Sequence, residues 1–123
     1  MIVLKSRAEL ILMRDAGRIV AEILQLIRER IKPGVTTQEL DEFAEAECKR
    51  RRVRPAFKGY GGFPFTICSS LNEKVVHGFA DSEPIRDGDI LSIDFGVVKS
   101  GFYGDSAITV PVGQVDAEKE RLL

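Results

Sequence analysis

The chain has 123 residues, 44% of them hydrophobic, and a formal net charge of −1. That length and apolar content allow one compact domain, burying about two thirds of the unfolded surface. The near-zero charge gives no pull toward nucleic acid or an anionic membrane, and two cysteines make no disulfide framework.

Helical patterns come first along the chain. Ser6-Arg7-Ala8-Glu9 has the form of a capping box opening a long helix. A stripe of Leu10, Met13, Ala16, Val20, Ile23, Leu24 and Ile27 keeps the 3.6-residue period to about Ile31, and Pro33-Gly34 ends it. Thr36-Thr37-Gln38-Glu39 repeats the capping pattern, with Leu40, Phe43, Ala44 and Cys48 as the next apolar stripe. The basic run Lys49-Arg50-Arg51-Arg52-Val53-Arg54 closes this second helix, where cations complement the macrodipole, so a solvated helix end is favoured over a binding patch. Lys5, Arg7 and Glu9 interrupt any signal-peptide pattern, and no apolar run reaches membrane-spanning length. The expectation is a cytoplasmic protein with neither nucleic acid nor membrane as partner.

From Arg54 the pattern changes to short apolar runs separated by Gly and Pro. The strongest is Asp89-Ile90-Leu91-Ser92-Ile93-Asp94-Phe95-Gly96-Val97-Val98, followed by Gly101-Phe102-Tyr103-Gly104-Asp105-Ser106-Ala107-Ile108-Thr109-Val110. Both segments are rich in β-branched and aromatic residues, with Lys99-Ser100-Gly101 as a tight connection. Leu91, Ile93, Phe95 and Val97 line one face, expected to be buried; Ser92, Asp94 and Gly96 line the other. Asp is depleted in strands, yet each partner carries one mid-strand. A two-residue loop at Lys99-Ser100 sets Asp94 directly opposite Asp105, with backbones roughly 5 Å apart. A three-residue loop with Gly101 in a bulge puts them on opposite faces. Two carboxylates that close do not both stay charged without a cation. The alternatives are a solvent-facing pair and a hard-cation site that holds one metal or bridges two about 3.5–4 Å apart. Beyond the hairpin, residues 110–113 leave the sheet and 115–123 begin a further helix.

The other motifs are weaker alone. Gly59-Tyr60-Gly61-Gly62 lacks the spacing of a phosphate-cradling loop. His77 is the only histidine and has no evident nucleophile partner, so no Ser/His/Asp or Cys/His set is available.

Taken together, the order of motifs resembles type I methionine aminopeptidases of the pita-bread metallopeptidase group. The resemblance rests on Asn72-Glu73-Lys74-Val75-Val76-His77-Gly78, Asp87-Gly88-Asp89 with Asp94, and Gly101-Phe102-Tyr103-Gly104-Asp105. Phe57-Lys58-Gly59-Tyr60-Gly61-Gly62-Phe63-Pro64 and Thr66-Ile67-Cys68-Ser69-Ser70 fit the same family, so the likeness runs from about Ser6 to the last residue.

The resemblance implies an α+β fold, half of a pita-bread: two long helices packed on a curved, mainly antiparallel sheet. Residues 1–123 would form a single domain, the N-terminal half-unit. Asp94 and Asp105 would be metal ligands, His77 would face the substrate, and Phe57, Tyr60, Phe63 and Cys68 would wall a pocket for methionine. Asn72 matches a position on a loop that holds a monovalent cation in some relatives. In the family two divalent ions (Co, Mn, Fe or Zn) activate a water and polarise the scissile carbonyl, with a further His and two Glu supplied by the second half. The implied substrate is a peptide with N-terminal methionine. This half alone is expected to be inactive or feeble. Its expected partner is the complementary half or a second copy, as a C2 homodimer in which Asp94, Asp105 and His77 of both chains converge. A non-catalytic interaction module of the same fold is the remaining alternative.

Overall fold

The computed structural model describes residues 6–59, 62–72 and 80–113. The order of elements is α1 (Arg7–Arg30), α2 (Thr37–Arg50), β1 (Arg54–Pro55), β2 (Ile67–Leu71), β3 (Ile90–Lys99) and β4 (Phe102–Pro111). Two helices therefore precede an antiparallel sheet, the α+β half-unit that the sequence implies.

Each helix starts where its cap places it. Ser6 accepts from the Glu9 N–H while Glu9 accepts from the Ser6 N–H, a complete capping box. Thr36 likewise accepts from the Glu39 N–H at the head of α2. The stripe of α1 is buried from Ala16 through Ile27 and includes Ile19, which the sequence pattern passed over. Its first members depart from the expectation, because Leu10 is 47% and Met13 36% exposed. The backbone of the helix comes against the sheet at Ala16 and Gly17, beyond those first turns.

Strand β3 is central. β4 pairs along one edge, and β2 and β1 follow each other along the opposite edge. Leu91, Ile93, Phe95 and Val97 are buried against the helices, as period-2 alternation requires, while Asp94 points the other way and is exposed. The strand continues to Pro111, opposite Ile90, so the sheet runs further than the sequence suggests before Val112 N–H donates to Asp89 O at 2.8 Å. The helix expected over 115–123 lies outside the described residues.

Gly104 explains how α1 can lie so close to β4. A Cβ there would fall 2.7 Å from both Ala16 C and Gly17 N, so backbone meets backbone at this crossing. Lys99 Nζ donates to Asp15 Oδ2 at 2.9 Å and ties the hairpin's end to the same stretch of helix. At the end of α2, Arg50 and Arg51 both pair with Glu47, and Arg51 also reaches Glu22 on α1.

Candidate metal and substrate site

The hairpin turn decides how the two strand aspartates meet. Lys99 pairs with Phe102, so the loop is Ser100-Gly101, one residue later than the Lys99-Ser100 loop expected. Ser100 has φ 54° and Gly101 φ 83°, the positive pair typical of a type I′ turn. The register then sets Asp94 opposite Ala107 and Gly96 opposite Asp105. Asp94 and Asp105 still share the face away from the helices, but they stand diagonally instead of directly opposite. General sheet geometry puts such neighbours about 7–8 Å apart at the backbone. That offset leaves room for an ion between two carboxylates that reach toward each other.

Electrostatics agree with the proximity. The Asp94 carboxyl is held above the usual carboxylate range, first by partial loss of water against the sheet and then by the negative charge of Asp105. Both side chains are exposed. A divalent cation would relieve the repulsion, and two carboxylates are suitable hard donors for one. Among the described residues, no group of three or more His, Cys, Asp or Glu side chains converges, so no further side chain of these four types joins the pair there.

Cys68 pairs with Asp94 across β2 and β3 and so flanks the carboxylates on one side. Burial, Asp94 and Asp41 all push its thiol up, keeping it protonated and a poor nucleophile. Cys48, in the core, is pushed up to about 12, chiefly by burial, and is inert in the same sense. Phe63 packs edge-on against Phe65 with ring centroids 6.0 Å apart, and Gly59 N–H donates to Phe63 O at 2.7 Å. Phe57 is half-buried and lines a cleft with Ala56, Tyr103, Gly104 and Asp105. Tyr60 and His77 lie outside the described residues.

Two contributors carried no sequence signal. Asp41, on α2, is 5% exposed and accepts from Thr66 N–H at 2.7 Å and Ile67 N–H at 2.9 Å, anchoring the start of the strand that carries Cys68. Burial raises its carboxyl, and the two N–H donors partly offset that. Tyr103 reads in sequence as an ordinary strand residue, yet its side chain stands open beside Asp105. Asn72 locks the entry to β3: its Nδ2 donates to Asp89 Oδ1 at 3.1 Å, and Ile90 N–H donates to its Oδ1 at 2.9 Å.

Residues 11–123 match the profile of metallopeptidase family M24. The chain belongs to that family. Its M24 relatives include the methionine aminopeptidase of Clostridium perfringens, 47% identical over all of this chain and 49% of the relative. Methionine aminopeptidase 1 of Bacillus subtilis is 48% identical, over all of this chain and 50% of that protein. Among solved structures, the methionine aminopeptidase of Rickettsia prowazekii superposes with a TM-score of 0.94 at 38% identity, covering 99% of this chain and 49% of that one. The Thermotoga maritima enzyme gives 0.92 at 42% identity, over 99% of this chain and 49% of its own. The chain thus spans about half the length of these methionine aminopeptidases. A dipeptidase of Bacillus anthracis, at 22% identity and a TM-score of 0.77, shares the fold.

Proposed function

We propose that this chain forms one structural half-unit of a methionyl aminopeptidase and supplies two ligands of its metal centre, Asp94 and Asp105. The observation that carries the proposal is that both carboxylates stand on the open face of one hairpin, close enough for the charge of Asp105 to raise Asp94. Divalent ions held there, whether Co, Mn, Fe or Zn, would supply an activated water and a polarised carbonyl. Phe57, Tyr60, Phe63 and Cys68 would offer an apolar, polarisable wall for the methionine side chain. His77 would hydrogen-bond the substrate at the scissile amide. The substrate is a peptide with N-terminal methionine, and the setting is a reducing cytoplasm, consistent with free Cys48 and Cys68. Among the described residues no helix is long and apolar enough to cross a membrane.

Calorimetric titration with Mn²⁺ or Co²⁺ tests the site. The wild-type chain should take up the ion weakly, and Asp94→Asn with Asp105→Asn should abolish uptake while leaving the fold intact. Equal uptake by the double variant defeats the assignment.

A second reading concerns assembly. Leu10, at 47%, and Ile11, at 55%, are exposed at the start of α1, an apolar surface that favours a covering partner. That partner is the complementary half or a second copy in a C2 dimer with the Asp94 and Asp105 pairs converging on the axis. Size-exclusion chromatography with bound-metal analysis separates the cases: a dimer with stoichiometric metal supports self-assembly, and a metal-free monomer supports a non-catalytic module. Methionyl-peptide hydrolysis by this chain alone should be feeble or absent.

A further inference from the structure

The helix layer carries a cleft of its own, about 340 Å³ at the joint between α1 and α2. Val35, Leu40 and Phe43 give it an apolar floor, with Leu40 buried and the other two half-buried. Glu29, Arg30, Lys32 and Glu39 stand exposed around that floor. Opposite charges elsewhere on these helices find each other, as Asp15 and Arg18, Glu47 and Arg50, and Glu22 and Arg51 do. Among the described residues, the four around the cleft make no ion pair. Their placement keeps them apart. Glu29 and Arg30 are adjacent on one helix and do not face each other, the extended C-cap Ile31 carries Lys32 out of α1, and Glu39 belongs to α2. The Arg30 guanidinium lies 3.9 Å over the centre of the Phe43 ring, a stacking that leaves its in-plane N–H donors available. The turn between the helices is held as well: Gly34 N–H donates to Ile85 O at 2.9 Å, and Ile85 N–H donates to Val35 O at 2.8 Å. The cleft is therefore formed before any ligand arrives.

Two acids and two bases around one apolar floor discriminate among small ligands. A simple anion or cation meets as much repulsion as attraction there, whereas a molecule with both signs is attracted by all four. We infer that the cleft binds a small zwitterion with an apolar side chain, of the class of a free aliphatic amino acid. Its carboxylate goes to Arg30 and Lys32, its ammonium to Glu29 and Glu39, and its side chain onto Val35, Leu40 and the edge of Phe43. The planar fork of Arg30 suits two-point contact with a carboxylate, and stacking on Phe43 fixes its orientation beforehand. A molecule of leucine size fits the volume. Asp94 and Asp105 lie on the face of the sheet turned away from the helices, so this site needs nothing from the proposed metal centre.

The test titrates the whole metal-free chain with L-leucine and follows its backbone amide NMR signals. Leucinamide, which keeps only the ammonium, and isocaproate, which keeps only the carboxylate, are the comparisons. Leucine should shift the Val35, Leu40 and Phe43 amides saturably, in the millimolar range that exposed charges and a half-covered side chain provide. Each single-charge analogue should bind about five-fold more weakly, the worth of one well-placed exposed ion pair. Arg30→Gln should weaken leucine and isocaproate about five-fold and leave leucinamide no weaker. Glu39→Gln should do the reverse, weakening leucine and leucinamide but not isocaproate. Both residues are exposed, so neither change opens the core, and a cleft that had merely loosened would lose all three ligands alike. The inference is overturned if the three amides show no saturable shift, or if the shifts fall on the Asp94 face instead. It is overturned equally by leucinamide binding as tightly as leucine, or by an Arg30→Gln variant that keeps full leucine affinity or loses leucinamide in the same proportion.

Discussion

The two faces of the β3–β4 hairpin are built from one alternating sequence and have opposite chemistry. Toward the helices, Leu91, Ile93, Phe95 and Val97 are at most 1% exposed. Away from them, Ser92 and Thr109 share a hydrogen bond at 3.1 Å, and Asp94 and Asp105 stand in repulsion beside the open ring of Tyr103. Two like charges are tolerated on one face because the other buries enough apolar surface to hold the register that puts them there. Core burial and charge are thus divided between odd and even positions of β3.

Substitutions on the dry face should give the largest effects. Phe95→Ala should cost about 3–5 kcal/mol in urea denaturation, because it leaves a cavity in the fully buried centre. Gly104→Ala should cost about 3 kcal/mol, since the added methyl strikes the α1 backbone and forces helix and strand apart. If Gly104→Ala proved neutral, the close crossing would be wrong.

Between the faces, Asp41→Ala should cost about 2 kcal/mol by leaving the N–H groups of Thr66 and Ile67 unpaired in a buried site. Protection of those two amides in hydrogen exchange should fall further than that of β4.

The open face should respond least, and with the opposite sign. Asp94→Asn should leave the fold slightly more stable at neutral pH, because it removes the repulsion from Asp105. The folded chain holds the Asp94 proton more tightly than the unfolded chain does. Its contribution to stability therefore falls as pH rises from the unfolded carboxylate value through the higher folded one. The gain from Asp94→Asn should accordingly disappear below that window, and denaturation midpoints of both proteins from pH 3 to 7 would show it. A variant less stable than wild type at pH 7 would mean that the carboxylate makes contacts that the shared face does not suggest.

Much of this division was legible in the sequence, since period-2 alternation sorts strand residues by face and the capping boxes mark both helix starts. The family pattern around Asp94 and Asp105 was equally open to reading. What alternation could not supply was the turn. Whether Lys99 belongs to the loop or to the strand depends on which residues accept positive φ, and Ser100 does so beside Gly101. That single step moved the aspartates from direct opposition to a diagonal. Leu10 and Met13 lie on the apolar stripe of α1 and yet are exposed, because helical periodicity reports a face, not how far a neighbouring sheet extends. Asp41 stayed invisible for a different reason: its partners are 25 and 26 residues away, and nothing local distinguishes it from a solvated helix acid.

The crossing at Gly104 also has a dynamic consequence. Its chain neighbours are Tyr103 and Asp105, so the residue seated on α1 lies between the aromatic wall and the carboxylate. With no side chain to act as a cushion, any rocking of α1 passes to both of them through main chain alone. Helix and hairpin centre should open as one cooperative unit, their amides exchanging together. The carboxylate then inherits the stiffness of a 24-residue helix, and a ligand bound there has less motion to quench.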